Sequence, residues 1–342
     1  MQIKPNQCLS EFVPKGRIKS LDILRGLAII LMTLPHQTLP FNLQSSVIGH
    51  QLFVIGAYYT RPMFIAVSGM ALVLHEKKYR WPFRMIIHGG VLFTMAWSVD
   101  VVSHQSFAID WDIFQLIGGC YAIAGLLGYL RDDGKKLLGL LLLCMVWGLI
   151  PDLRPDQGLF PIWPHGIYFV GGYFIAKWGL SRHNILAVLA SGLVASVIYL
   201  SQFYLYNVPT IITSTKLSGI IASFACIFLL LCLTIILENR NQVEQLPFSI
   251  LVRFGQYPLS LYFMQQFCVV FGLRMNFRLT LTGMNVLDCV LHTSVLLLCM
   301  FLATFLFDKL KFLSIEFWLR KAESVIINAA PQMGLFSPIA SK

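Results

Sequence analysis

Apolar windows long enough to cross a bilayer recur along most of this chain, near 21–37, 51–74, 85–104, 112–130, 137–151, 164–180, 184–206, 217–237, 255–273 and 285–307. A hydrocarbon layer is about 30 Å thick and a helix rises about 1.5 Å per residue, so roughly twenty apolar residues make one span. Inside such a layer every backbone N–H and C=O must find a partner within the protein, and for single segments only the helix achieves that. The windows therefore predict an all-α polytopic membrane protein of about ten transmembrane helices, with 137–151 and 164–180 the shortest. The composition fits: 57% of the 342 residues are hydrophobic, 12% are charged, and mean hydropathy is +0.71, a balance that soluble domains do not carry.

Loop charge supplies the orientation. The N-terminal tail, HEKKYRWPFR (75–84), RDDGKK (131–136), the turn from Lys177 to Arg182, the 238–253 loop and the C-terminal tail are basic. The intervening loops hold only Arg154, Lys216, Arg274 and Arg278. The positive-inside rule then places both termini in the cytoplasm, with an even number of spans, and assigns the net charge of +10 to topology rather than to nucleic acid. Lys4, Lys15, Arg17 and Lys19 ahead of an apolar stretch mimic a signal peptide, but Arg25 interrupts the stretch and no small-x-small site follows Pro35. The stretch reads as a retained first helix.

Three regions follow: a cytoplasmic tail (1–20), a transmembrane domain (21–307) and a cytoplasmic amphipathic segment (308–342). In that last segment DKLKFLSIEFWLRKAESVII (308–327) mixes large apolar residues with Lys and Arg at helical spacing, as expected of a helix lying in the inner membrane interface. Cys120, Cys144, Cys226, Cys232, Cys268, Cys289 and Cys299 lie in apolar runs and Cys8 in the basic tail. None has metal-ligand spacing or suggests a disulfide framework, so no metal site is expected. Paired glycines such as Gly118-Gly119 and Gly171-Gly172 read as helix-packing contacts.

The polar residues inside the apolar windows are the ones that need explaining. Arg25 and His36 bracket an apolar stretch in SLDILRGLAIILMTLPH, separated by about 16 Å of helical rise. A guanidinium there costs several kcal/mol, on the order of 3, unless paired or hydrated, which makes it a functional-site candidate. Asp22, one turn earlier, is its natural partner. Arg61 is a second such cation, in YYTRPMFIAVSGM, and the following Pro62 is expected to interrupt helix hydrogen bonding and expose a carbonyl. His36 and His50 flank the first outer loop. His104, Asp110, Asp112, Asp152, Arg154, Asp156 and His165 are expected in the other outer loops, either simply hydrated or lining a polar pocket. No P-loop, dinucleotide fingerprint, nucleophile elbow or H-E-x-x-H motif competes.

These residues carry a resemblance. RIKSLDILRGLAIILM (17–32), followed by His36, is similar to the opening of the heparan-alpha-glucosaminide N-acetyltransferase catalytic family and its bacterial relatives. The Arg25-x10-His36 spacing also resembles the wider superfamily of membrane acyltransferases that modify surface polysaccharides. RPMFIAVSG (61–69), FPIWPHGIYFVGGYFIA (160–176) and FGQYPLSLYFMQ (254–265) resemble later blocks of the family in the same order, so the likeness spans roughly 17–307. It implies transfer of an acyl group, usually acetyl from acetyl-CoA, to a sugar hydroxyl or amine across the membrane. It further implies that Arg25 lies near the donor path and His36 in the reaction centre. In animal members a loop histidine placed like His50 is catalytic, and an Asn stands at the position of His36. Gln265 stands where bacterial relatives often carry His.

The residue types suit that chemistry on their own terms. A neutral imidazole can take a proton from an attacking hydroxyl or carry an acyl group, and an arginine fork can hold phosphates or a developing oxyanion. The expected sites are therefore His36 and His50 as catalytic residues, with Asp22, Arg25, Arg61 and Gln265 binding donor or substrate. The expected partners are the inner-membrane bilayer, acetyl-CoA as acyl donor, and a glycan or glycolipid acceptor. A transporter or flippase for a polar or lipid-linked substrate is the alternative, because intramembrane Arg and His also line permeation paths. A non-catalytic assembly factor is a third.

Overall fold

A computed structural model describes residues 18–38, 41, 43, 60–76, 81–104, 112–128, 135–136, 138–140, 142, 162–178, 190, 217–240, 242–274, 282 and 285–329. The described elements are helical. They are α1 (Lys19–Thr38), α2 (Arg61–Glu76), α3 (Trp81–His104), α4 (Ile113–Leu127), α5 (Ile162–Trp178), α6 (Leu217–Asn239), α7 (Phe248–Gln256), α8 (Pro258–Arg274), α9 (Asn285–Lys309) and α10 (Ile315–Ala329). The windows at 137–151 and 184–206 fall almost wholly outside the described residues, and the others overlap these helices. One described helix, α9, is by itself long and apolar enough to cross a membrane, with mean hydropathy 2.2.

Local chemistry sets the helix ends. Asp112 caps α4: its Oδ1 accepts from the Ile113 N–H at 2.6 Å, while Gln115 Oε1 accepts from the Asp112 N–H at 3.2 Å. This reciprocal box satisfies donors that the first turn would otherwise leave orphaned. The start of α1 borrows its cap from another helix. The Glu238 carboxylate at the end of α6 accepts from the Lys19 and Ser20 N–H groups at 3.0 and 2.9 Å, which joins an anion to the positive end of the α1 dipole. Pro62 lies in the first turn of α2, behind a wider π-type turn at Thr60. A proline is tolerated in a first α-helical turn, and the π-type turn ahead of it is where the regular hydrogen-bond ladder changes.

Small residues let the helices approach. A Cβ on Gly26 of α1 would stand 2.0 Å from the Leu251 carbonyl oxygen of α7, and one on Gly255 of α7 only 1.8 Å from that of Asp22. Helices α2 and α5 meet in the same way at Gly69 and Gly172, and α3 meets α4 at Gly89 and Gly118. Gly118 and Gly172 thus make the packing contacts read from the sequence. The core between these pairs is aliphatic and aromatic, with Leu24, Ile29, Met63, Ile65, Met70, Met85, Tyr168 and Phe254 among its buried side chains.

In this arrangement α1 is the central element, touching α2, α6, α7, α8 and α9. Two ends of the bundle can be told apart: the Lys19 end, where α6 caps α1 and α10 packs on α3 and α8, and the His36 end.

Candidate active site

At the Lys19 end of α1, Arg25 Nη1 donates to Asp22 Oδ1 at 3.2 Å across one turn. Asp22 is 1% exposed because α7 lies over it, backbone against backbone, at Gly255. Arg25 is half-buried and within electrostatic reach of the Tyr121 phenol on α4. Tyr121 donates from its hydroxyl to the Ser68 carbonyl of α2 at 2.8 Å.

The same cluster extends to residues that the sequence reading passed over. The His88 ring stands edge-on to Tyr121 with centroids 4.8 Å apart, and its Nδ1 meets Glu323 of α10. Arg84 lies 3.8 Å from the other oxygen of that carboxylate. Glu316, two turns earlier on α10, accepts from the Leu259 and Ser260 N–H groups at 2.8 and 3.0 Å and from the Ser260 hydroxyl. Burial pushes the Glu316 carboxyl above the usual carboxylate range, against those hydrogen bonds, which pull it down. A sequence signal for this cluster did exist: Arg84 and His88 share a helix face at i, i+4, and the amphipathic segment carries Glu316 and Glu323 seven residues apart on one face.

At the opposite end of α1, His36 is partly buried and meets the Gln265 amide of α8 at its Nδ1. Gln265 is fully buried and its other partners fix the amide's orientation. Thr33 donates to its Oε1 at 3.2 Å, and its Nε2 donates to the Met32 carbonyl at 3.3 Å. The Nε2 group therefore faces His36 Nδ1 as donor, and the neutral imidazole carries its own hydrogen on Nε2. So held, His36 offers a hydrogen bond rather than a lone pair to whatever lies beyond its Nε2. Arg61, at the start of α2 and half-buried, is within electrostatic reach of the same imidazole.

Two neighbours of these residues stand out. Among the described residues, Gln37, 1% exposed, finds no hydrogen-bond partner for either amide atom, and the buried Thr60 hydroxyl finds none. Each orphaned polar group costs on the order of 1–3 kcal/mol. Gln37 follows His36 in the chain and Thr60 precedes Arg61, while the third such group, the Ser20 hydroxyl, lies at the other end of α1.

Of the sequence-predicted residues, the fold brings His36, Arg61 and Gln265 together and separately joins Asp22 to Arg25. His50 lies outside the described residues, as do Asp110, Asp152, Arg154 and Asp156. The other expected loop residues have different places. Asp112 caps α4 and accepts from the Tyr262 hydroxyl at 2.6 Å. His165 is buried within α5 rather than hydrated in a loop, because that helix already begins at Ile162.

The family model described as heparan-alpha-glucosaminide N-acetyltransferase, catalytic, matches residues 17–207. The matched stretch contains Asp22, Arg25, His36, His50 and Arg61, and ends before Gln265. No curated protein matches the chain.

Proposed function

The chain belongs to the heparan-alpha-glucosaminide N-acetyltransferase catalytic family, and from that premise we propose that it moves an acetyl group from cytoplasmic acetyl-CoA to a hydroxyl or amine of a glycan or glycolipid on the outer face of the inner membrane. The proposal includes the multi-pass topology of about ten spans with both termini in the cytoplasm, which the alternating loop charge supports. The Lys19 end is then the donor side and the His36 end the acceptor side.

The observation that carries this reading is the division of polar groups along α1. Asp22 and Arg25 join the Tyr121 cluster at one end, and His36, Gln265 and Arg61 meet at the other. About 16 Å of helix lies between Arg25 and His36, so no single side chain serves both. A reaction whose donor and acceptor approach from opposite faces needs this separation.

In the transfer, an acceptor oxygen or nitrogen attacks the thioester carbonyl, a C–O or C–N bond forms, and the C–S bond breaks to release CoA thiolate. The attacking group loses its proton to a base, and the thiolate takes up a proton. Negative charge builds on the carbonyl oxygen along the way. His36, whose Nδ1 accepts from Gln265 so that its hydrogen sits on Nε2, is suited to donate that Nε2–H to the carbonyl oxygen, and Arg61 adds positive charge beside it. This division assigns the proton-accepting role to the second histidine, His50. Arg25, oriented by Asp22, faces the donor.

The test uses purified full-length protein in lipid nanodiscs with radiolabelled acetyl-CoA and a panel of glycan acceptors. Label appearing in acceptor, with matching CoA release, supports the reading. Neither labelled acceptor, labelled protein nor CoA release with any acceptor would sink it.

A further inference from the structure

Glu323 is out of place on its helix. Helix α10 is amphipathic and its Arg320 and Lys321 are exposed, yet Glu323 is 4% exposed and points into the bundle. Its carboxylate fills the space between His88 and Arg84 on α3, beside Tyr121. Burying a carboxylate costs several kcal/mol, on the order of 3–5, and an apolar residue would dock α10 as well or better. Helix α10 has other attachments: Leu319 packs into the core, and Glu316 is held by the first turn of α8. Docking alone therefore does not explain an acid at 323.

The surroundings do. Arg84 is a planar fork of donors, 37% exposed at the rim, and its 3.8 Å approach to Glu323 is longer than a hydrogen bond. His88, half-buried beneath it, supplies a second nitrogen. Such a set suits a phosphate better than a lone carboxylate, since a phosphate offers more acceptor oxygens and more charge.

We propose that Arg84 and His88 form a phosphate site at the donor mouth, occupied in the resting protein by the chain's own Glu323, so that α10 is a latch released when a phosphate-bearing ligand displaces that carboxylate. The inference rests on the acetyl-CoA reading only for the source of the phosphate. The phosphates of CoA and the headgroup phosphate of an inner-leaflet lipid share the chemistry.

The experiment separates the two sources. Full-length protein in nanodiscs of a neutral, phosphate-free glycolipid is titrated with CoA by calorimetry, for the native chain, Glu323→Gln and Arg84→Gln. Hydrogen exchange of residues 315–329 is followed in parallel. Glu323→Gln keeps the size and a hydrogen-bonding group, so it leaves folding intact while removing the competing charge. If the latch is closed in about nine molecules of ten, opening it tightens apparent CoA affinity about tenfold. Arg84→Gln is expected to weaken CoA affinity by a similar factor, and CoA is expected to speed exchange across α10 in the native chain. In a second arm, phosphatidylglycerol replaces part of the neutral lipid and CoA is omitted. Faster α10 exchange in this arm, with no response to CoA, keeps the site and assigns it to a lipid phosphate. Unaltered CoA affinity in both variants and unaltered α10 exchange in both arms, with acetyl transfer intact, overturn the latch and leave the proposed function standing. Absence of both CoA binding and transfer overturns the proposed function instead, and the lipid arm alone then decides the site.

Discussion

The Gln265 amide and the His36 imidazole, 229 positions apart in the chain, share a hydrogen bond in which Nε2 of the glutamine faces Nδ1 of the histidine. Thr33 and the Met32 carbonyl hold the glutamine from behind. The imidazole is thereby oriented by a neutral donor to Nδ1, which does not stabilise an imidazolium as the carboxylate partner of a histidine acting as a base does.

His36 should consequently behave as a hydrogen-bond donor in turnover. His36→Ala is expected to lower kcat by about 100- to 1,000-fold, the usual cost of one oxyanion donor. His36→Asn, whose amide can also donate, should retain more activity than His36→Ala. Steady-state rates for the two variants give the comparison, and equal loss in both would argue for base catalysis at this position.

Replacing Gln265 with Leu removes a buried amide and leaves the Thr33 hydroxyl, the Met32 carbonyl and His36 Nδ1 with one partner fewer. The expected cost is about 1–3 kcal/mol of stability. Activity should fall further than that loss explains, with a shift in the pH–rate profile, because the imidazole is then free to exchange tautomers. A melting curve together with a pH profile separates the two effects.

Glu316 makes the attachment of α10 pH-sensitive. Its carboxyl in the folded protein titrates above the usual carboxylate range, so the folded state holds the proton more tightly than the unfolded state does. That contribution is fully present below the unfolded value, near 4.3, and is lost as pH rises through the raised folded value. Native protein should therefore lose thermal stability relative to Glu316→Gln as pH rises above the unfolded carboxylate value. Parallel melting curves that do not diverge with pH would contradict it.

At the crossing of α1 and α7 there is no room for a methyl group. Gly26→Ala and Gly255→Ala each bring a Cβ to within about 2 Å of a carbonyl oxygen on the other helix. Each is expected to destabilise by about 1–3 kcal/mol or more, as overpacked contacts do. Gly90→Ala, on α3 with nothing within 4 Å of its Cβ, is the control and should melt like the native chain or slightly higher.

Much of the framework was legible because it depends on local composition. Apolar windows become helices wherever the chain is described, since an apolar run satisfies its own backbone only in that form. Arg25 finding Asp22 was legible for the same reason, being an i, i+3 pair on one helix. The sequence reading puts His165 in an outer loop although it lies just inside the apolar window at 164–180, and it is buried within α5.

By itself, then, the sequence determined the all-α class, the family, and the polar residues that an apolar environment would make expensive. Only the tertiary structure decided how they combine. Gln265 reaches His36 from a helix more than two hundred residues away, and Glu323 enters the bundle from a helix whose sequence looks like a surface anchor. The physical reason is that a single helix specifies which residues share its face, whereas the partner that face meets depends on where small residues let other helices approach. For Arg25 the partner lay within one turn, and for His36 it lay across the bundle.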